Sequence, residues 1–382
     1  MDASSSAALK VNLAFVMFGV ATTLLGSMTP LLEARWRIGD AEAGLLFAAQ
    51  FFTSTWGAAA VGVLARRFGY HTLILLGLVL TAVGMAGCAF APWPLGALCV
   101  SCYGFGFGFA VPAGNLALSQ LDQGDGTSAS AVVWLNWSWC VGAVAAPFLT
   151  ASLGIHAWWV AGAASALCAA LVAAGRLDGK PPAPAPGARE RSSSLTTIAG
   201  TFLFVYVATE EAISGWVASL VLRSHVSARF WALAPSIFWG GVLFGRAITP
   251  ALLKQLTPRA IVLAGLVIAA AGAFTLVFIE APGLTLPAGA LCGIGLAPIY
   301  PLVVAQYAAS QPGDGSTGLV FAAGGLGGAA GPLATGYISQ LTGSLRNGLA
   351  CSLPAIALMT WLQLRLAPRS GTGHHKSLEM QG

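Results

Sequence analysis

Three charged residues lie inside long apolar stretches of the sequence. Glu210 and Glu211 are adjacent in one stretch, and Arg246 lies in the next one along the chain. A charged side chain in an apolar environment is costly unless it is paired or serves a function. Glu210 and Glu211 are therefore candidates for proton coupling or solute binding, and the alternative is a carboxylate fixed by hydrogen bonds between helices. Arg246 is equally consistent with a solute contact and with a structural latch.

A second group of candidates combines aromatic rings with amides. Asn136 lies next to Trp137 and close to Trp139. An amide both donates and accepts hydrogen bonds, and an indole ring can stack on the C–H face of a pyranose. Tryptophan also fills space between helices, so a packing role is the alternative. Other polar or aromatic residues in apolar stretches could line a cavity or join helices: Asn115, Gln50, Tyr206, Trp216, Trp239, Tyr300 and Gln306.

Few other residue patterns in the sequence resemble a catalytic, metal-binding or nucleotide-binding site. Cys99 and Cys102 have the C-x-x-C spacing, but no second pair or histidine cluster accompanies them, so we expect neither metal nor redox chemistry. Gly104 and Gly106 lack the strand–helix context of a dinucleotide-binding loop. We assign no catalytic residue, no metal ligand and no cofactor, and we expect a protein that is not an enzyme.

The elements that position these residues follow from the composition. Hydrophobic residues make up 57% of the chain and charged residues only 8%, where soluble domains have about a quarter charged residues. The 54 residues between Arg67 and Asp122 contain no Asp, Glu, Lys or Arg, and neither do the 50 between Asp125 and Arg176. A helix crosses a bilayer in about 20 residues, so each run holds two crossings. The 18 Lys and Arg form no basic patch for nucleic acid.

The same reasoning along the chain predicts an all-α polytopic membrane protein of twelve helices. Breaks are expected at Pro92–Pro94 and at Gly154–His156, because irregular backbone belongs at the membrane surface. The predicted helices are 10–32, 42–65, 71–91, 95–120, 129–153, 156–175, 196–222, 230–253, 259–279, 284–309, 315–339 and 347–366. They form an N-terminal bundle (1–175) and a C-terminal bundle (195–367), separated by a Pro-rich linker (176–194) and followed by a disordered tail (368–382).

The positions of Lys and Arg predict the orientation. Twelve of them fall on the side of the termini and the linker and five on the other side, with Arg246 inside the membrane. Cytoplasmic loops carry the excess of Lys and Arg. We therefore expect a multi-pass protein of the plasma (inner) membrane with both termini in the cytoplasm.

The two predicted bundles are copies of one unit. Gly104-Phe-Gly106 and Gly293-Ile-Gly295 are 189 residues apart, and the same offset maps Pro112 to Pro301 and Gly142 to Gly331. The offset is close to half of the chain length. Two six-helix repeats in parallel orientation are expected to bind a solute near the midplane between them.

With this architecture the sequence resembles the major facilitator superfamily, and more narrowly its fucose:proton-symporter-like branch. The loop Gly62-Val-Leu-Ala-Arg66-Arg67-Phe68-Gly69 is similar to the superfamily's glycine-and-basic signature, although Arg66 stands where the family usually has Asp. The motifs closer to the branch are Leu135-Asn136 with Gly142 and Pro147, the segment Tyr206–Trp216, Phe238-Trp239-Gly240-Gly241 with Gly245-Arg246, and the segment Gly295–Pro301. In this resemblance Glu210 matches the family's acid.

The resemblance implies secondary active transport by alternating access. The expected cargo is a small polar solute, foremost a sugar, moved together with protons through a monomeric protein in the lipid bilayer. Proton-coupled efflux of a lipophilic drug or metabolite is the alternative within this class, because the first helix lacks an internal acid and the fourth lacks any charge, which leaves few polar anchors for a sugar. A channel would need a continuous polar stripe on its helices, and an intramembrane enzyme would need a convergent set of catalytic residues. The sequence shows neither pattern, so both classes are disfavoured.

Overall fold

The computed structural model describes residues 3–120, 127–175, 194–224, 230–310 and 317–366. Throughout these ranges the regular elements are helices. The α-helices are α1 (Ala3–Trp36), α2 (Asp40–Phe90), α3 (Leu95–Gln120), α4 (Thr127–Leu153), α5 (Ala157–Ala173), α6 (Ser194–Arg223), α7 (Ala234–Leu252), α8 (Pro258–Phe278), α9 (Pro282–Leu296), α10 (Ile299–Ser310), α11 (Thr317–Thr342), α12 (Leu345–Leu349) and α13 (Ser352–Arg365). The predicted tail and all of the predicted linker but Ser194, which begins α6, lie outside the described residues.

Ten segments of the described chain are long and apolar enough to cross a membrane. Many large apolar side chains, such as Val267, Phe278 and Trp134, point outward and are more than half exposed. An apolar exterior of this extent suits contact with lipid rather than with water. The chain is therefore a multi-pass membrane protein, built of helices throughout its described residues.

The longest of the ten segments, α2, reverses its direction. Gly69 interrupts its 51 residues with φ 79° and ψ 162°, a conformation that glycine adopts without strain. Before this point α2 runs parallel to α3, with Ser54 against Gly108, and after it the two are antiparallel, with Gly77 against Gly106. The break lies in the gap predicted between helices 42–65 and 71–91.

The segment formed by α4 and α5 also turns back. A short 3₁₀ turn, Gly154–His156, separates the two helices at the predicted break. In α4, Ser138 donates a hydrogen bond to Asn12 of α1, and Thr150 is bonded to Ser27, so the two helices run parallel. The end of α5 returns to the start of α1, where Gly175 packs against Lys10.

Two predicted helices are each divided into two. The predicted helix 284–309 consists of α9 and α10, and the predicted helix 347–366 consists of α12 and α13. Pro298 and Pro354 follow or occupy the two breaks, and a proline cannot supply the N–H that an unbroken helix requires. Helices in a membrane tolerate such breaks when neighbouring helices cover the freed backbone groups.

The contacts between helices repeat along the chain. Gly77 against Gly106 in the first half recurs as Gly265 against Gly295 in the second half. The partners are shifted by 188 and 189 residues, which is the offset found in the sequence. The contact of Gly57 with Gly108 recurs in the same way as that of Gly245 with Ala297. In each contact the absence of a side chain lets two backbones approach closely.

Candidate functional site

Within the described residues, the first half of the chain meets the second mainly through three helix pairs. Helix α2 packs along α11, α1 along α6 and α4 along α7. The charged residues predicted inside the membrane lie on α6 and α7, which both take part in these pairs. A solute that passes between two halves would meet these surfaces first.

Glu210 is buried and lies in a short chain of hydrogen bonds. Its Oε1 is 2.6 Å from the hydroxyl oxygen of Tyr206, and that oxygen is 3.1 Å from the backbone carbonyl oxygen of Leu296 in α9. The Tyr206 hydroxyl has one proton to donate. The hydroxyl donates to Glu210 Oε1, and the Leu296 carbonyl lies within reach as a second acceptor in a three-centre arrangement. Tyr206 thus connects the carboxyl group of Glu210 to α9.

Glu211 points to a different side of α6. Adjacent residues of a helix are about 100° apart, because there are 3.6 residues in a turn. Glu211 lies one turn before Gly215, which packs against Gly26 of α1. Its own carboxylate is 3.4 Å from the Ser214 hydroxyl. The two acids therefore do not share one environment.

Arg246 has no carboxylate partner in the described part of the chain. Its Nη1 donates to the sulfur of Cys140 in α4 at 3.3 Å, and its Nε is enclosed without a hydrogen-bond partner. Neither glutamate of α6 lies within ion-pair distance of it. The charges of Arg246 and Glu210 nevertheless interact through space.

Two tryptophans from opposite halves meet on α4 and α7, the helices that carry Cys140 and Arg246. The rings of Trp139 on α4 and Trp239 on α7 have centroids 5.3 Å apart and are inclined by 79°. Trp239 is buried and Trp139 is half-buried. On the other side, the ring of Tyr206 packs against that of Tyr300 at 5.9 Å. We refer to the residues of these contacts as the central cluster: Glu210, Tyr206, Tyr300, Arg246, Cys140, Trp139 and Trp239.

Two predicted polar residues lie at the edge of the central cluster. Asn136 precedes Trp139 and Cys140 by three and four residues and so faces the same side of α4. Its amide nitrogen is 3.4 Å from the side-chain oxygen of Asn115 in α3. These two amides could extend the cluster with neutral hydrogen-bonding groups.

Three other predicted residues have structural partners elsewhere. Gln50 is buried, donates to the Thr22 carbonyl at 2.9 Å and accepts from Tyr103 at 2.8 Å. Trp216 donates to the Pro332 carbonyl at 3.0 Å and thereby joins α6 to α11. The third, Gln306, accepts a bond from Gln363 at 3.0 Å. Their contacts are those of residues that hold helices together.

Trp137 lies away from the central cluster. It shares an exposed apolar stripe of α4 with Trp134 and Val141, three and four residues away on the same face. That stripe does not contain Trp139. The structure thus separates the two tryptophans that closely follow Asn136 in the sequence.

The sequence interpretation did not include Cys140 or a group of charges at one end of the bundle. Arg223 of α6 forms ion pairs with Asp40 of α2 at 2.5 Å and with Glu33 of α1 at 3.2 Å. Ser339 of α11 donates to the same Asp40. We call these four residues the terminal charge cluster. By the predicted helix bounds, Glu33 and Asp40 fall in the loop between helices 10–32 and 42–65, and Arg223 follows helix 196–222. A shared membrane face was therefore the available signal that these charges could meet.

A small cavity of about 80 Å³ lies between α7 and α8. It is lined by apolar side chains such as Ile248, Leu252 and Ile268, with Thr249 as a polar exception. Since it contains no charged residue, it is a less suitable site for a polar solute than the central cluster.

Comparison with known families agrees with this architecture. The model of the Major Facilitator Superfamily matches residues 11–332, which is most of the chain. The chain belongs to the Major Facilitator Superfamily. This confirms the family predicted from the sequence, and the members of this family are transporters.

Solved structures of other transporters of this superfamily share the fold. The D-xylose–proton symporter superposes with a TM-score of 0.78 at 14% identity, over 96% of this chain and 98% of that chain. The fucose:proton symporter of E. coli superposes with a TM-score of 0.66 at 16% identity, over 94% of this chain and 98% of that chain. At such low identities these superpositions show the fold alone.

One curated relative has a higher identity over a shorter region. It is the gentisate transporter of Corynebacterium glutamicum, which is 30% identical over 143 residues. The matched region is 37% of this chain and 32% of the relative, so the match spans about a third of the relative's length.

Proposed function

We propose that this member of the superfamily is a secondary active transporter that couples a small polar organic solute to protons by alternating access. The observation that carries the proposal is the chain of hydrogen bonds from Glu210 through Tyr206 to the Leu296 carbonyl. A carboxyl group in such a position can hold and release a proton between two halves that move.

The proposed transporter has twelve membrane crossings. Ten segments are long and apolar enough to cross. Two of them, α2 and the α4–α5 segment, contain a reversal and so contribute two crossings each. Residues 1–175 and 195–367 form the two halves, and an even number of crossings places both termini on one side. The excess of Lys and Arg on this side indicates that it is the cytoplasmic side of the plasma (inner) membrane.

The terminal charge cluster has the features of a gate at the opposite end. Glu33 and Asp40 come from the first half, and Arg223 and Ser339 from the second. Exposed ion pairs contribute about 0.2–1 kcal/mol each. Such pairs can form and break during a transport cycle without a large barrier. We propose that this cluster closes the outer end of a monomeric transporter while the inner end is accessible.

We propose only the general class of the solute, a small polar molecule. Sugars are one class, because the resemblance to the fucose:proton symporter branch carries them, and the fold relatives include sugar symporters. The gentisate transporter, which this chain matches over about a third of its length, is named for an aromatic acid. Efflux of a lipophilic drug is not favoured, because these similar proteins are named for polar solutes.

The coupling role of Glu210 is testable in vesicles. The purified protein is reconstituted into liposomes with a trapped pH dye, and D-xylose, fucose and gentisate are added outside in turn. We expect one of them to acidify the interior above the level of protein-free vesicles. A Glu210→Gln variant should lose this acidification and gradient-driven accumulation, while exchange of labelled solute persists, because the amide cannot release a proton.

An exposed acid provides the matched control for this experiment. Glu280 lies just after α8 and is exposed, so Glu280→Gln should behave as the unaltered protein. Undiminished accumulation by Glu210→Gln, or uptake in the unaltered protein that ignores a collapsed pH gradient, would reject the proposed coupling.

A further inference from the structure

The guanidinium of Arg246 lacks the partner that its charge requires. A guanidinium has five N–H donors, and the structure gives it one acceptor, the sulfur of Cys140 at 3.3 Å. Sulfur is a weak acceptor. Its Nε has no hydrogen-bond partner although it is enclosed. An unmet buried donor costs about 1–3 kcal/mol, and more when it is charged, so this arrangement leaves a place for an acceptor that is absent.

The charges around Arg246 show what kind of acceptor is missing. Titratable groups near enough to interact electrostatically with it include Cys140 from α4, Tyr206 and Glu210 from α6, and Tyr300 from α10. Only Glu210 among these can carry a full negative charge near neutral pH, and Glu211 points to another side of α6. When Glu210 is protonated, the positive charge of Arg246 has no counter-charge among these groups.

Two aromatic rings lie on the same helices as Arg246 and its contact Cys140. Trp239 precedes Arg246 by seven residues, which is close to two turns, so both side chains lie on one face of α7 about 10 Å apart along its axis. Trp139 meets Trp239 from the other half and is next to Cys140 in the chain. A flat ring placed against these indoles would bring a substituent towards the guanidinium.

We propose that the transported solute is an organic monocarboxylate with a flat ring, whose carboxylate binds Arg246 and whose ring packs against Trp139 and Trp239. This inference rests on the proposed transport function and narrows its solute class. Arginine binds a carboxylate through two parallel hydrogen bonds. A single arginine balances one negative charge, which favours a monocarboxylate over a doubly charged phosphate ester.

Neutrality of the site then links the proton to the solute. In the empty site, ionised Glu210 balances Arg246 through space. In the occupied site, the carboxylate of the solute balances Arg246, and Glu210 takes up one proton and is neutral. Each solute anion thus enters with one proton, and no bond is made or broken other than the transfer of that proton. If the solute anion and ionised Glu210 were present together, or if both were missing, the site would hold an uncompensated charge in an apolar environment.

A ligand series on the purified full-length protein tests this inference without requiring transport. Gentisate is compared with its neutral amide, with cyclohexanecarboxylate and with D-xylose, and the shift in melting temperature is recorded. A ligand that binds the folded state raises this temperature. We expect gentisate to bind at least about tenfold more tightly than the amide, because a charge-assisted bond is lost. D-xylose, which has neither a carboxylate nor a flat ring, should give no shift.

Substitutions of Arg246 locate the binding site. Arg246→Gln should abolish the shift caused by gentisate, and Arg246→Lys should retain part of it, since lysine keeps the charge but not the planar fork. Arg259 is exposed at the start of α8, so Arg259→Gln should bind gentisate as the unaltered protein does. If Arg246→Gln fails to fold, the comparison of gentisate with its amide on the unaltered protein still decides.

Two results would overturn the inference. One is binding of the amide or of D-xylose as tight as that of gentisate, and the other is a folded Arg246→Gln variant that binds gentisate normally. Failure of the transport proposal would look different. If gentisate binding depends on Arg246 but vesicles show no proton flux, only the proposed proton coupling is rejected. If a sugar is taken up with protons, only the proposed carboxylate solute is rejected.

Discussion

Neighbouring residues of one helix have different surroundings in this protein. Glu210 contacts Tyr206 in the interior of the second half, whereas Glu211 contacts the Ser214 hydroxyl of its own helix. Trp139 meets Trp239 across the two halves, whereas Trp137 belongs to an exposed apolar stripe. Because successive residues turn by about 100°, the role of one residue in such a pair says little about the other.

The two tryptophans of α4 allow a direct test of the ring contact. We expect Trp139→Ala to weaken gentisate binding by about twofold to tenfold, as an aromatic pair contributes about 0.5–1.5 kcal/mol beyond its buried area. Trp137→Ala is the matched control and should change binding little, because that ring faces outward. Titration of tryptophan fluorescence with gentisate measures both. Equal losses in the two variants would argue against a ring site at Trp139.

The charged candidates could be found from the sequence, but their partners could not. Glu210 and Arg246 stand out because hardly any other charge interrupts the apolar stretches. The bonds of Tyr206 to the Leu296 carbonyl and of Arg246 to Cys140 depend on which helices are neighbours. Hydropathy does not show which helices are neighbours, and in the sequence Cys140 cannot be distinguished from other small buried residues.

At the level of the helices, the sequence predicted most boundaries. The breaks near Gly69 and at Gly154–His156 follow from glycine and from the length of the apolar runs. The interruptions at Ala297–Pro298 and before Ser352 were not predicted. They lie within apolar segments, where hydropathy remains high and only packing shows that the backbone is broken.

Close backbone contacts should make some glycines sensitive to substitution. A Cβ on Gly331 of α11 would overlap the carbonyl of Ala208 in α6. We expect Gly331→Ala to lower stability by about 1–3 kcal/mol, the usual effect of overpacking. Its repeat counterpart Gly142 meets the Val16 carbonyl in α1 in the same way, so Gly142→Ala should have a similar effect. Thermal unfolding in detergent, followed by circular dichroism, measures the change.

Another helical glycine serves as the control. A Cβ on Gly240 of α7 would have nothing within 4 Å. Gly240→Ala should leave stability unchanged or raise it slightly, because alanine favours a helix over glycine by about 1 kcal/mol. A destabilisation by Gly240→Ala equal to that by Gly331→Ala would show that the backbone contacts are not the cause.

At the scale of the whole molecule, the two halves meet through different chemistry at different depths. The terminal charge cluster joins them at one end, where Asp40 binds both Arg223 and Ser339. Deeper in the bundle the halves meet through Trp139 with Trp239 and through Cys140 with Arg246. The repeat in the sequence predicted two similar halves, but it could not predict these contacts, because they join positions that the repeat does not relate.

The charge moved in each transport cycle tests the central claim most directly, namely that one proton and one solute anion occupy the site together. Vesicles containing the protein are adsorbed on a solid-supported membrane, and gentisate is applied while current and interior pH are followed. One proton with one monocarboxylate carries no net charge, so we predict proton uptake without a transport current, absent in Glu210→Gln. A steady inward positive current that accompanies solute uptake would contradict the account.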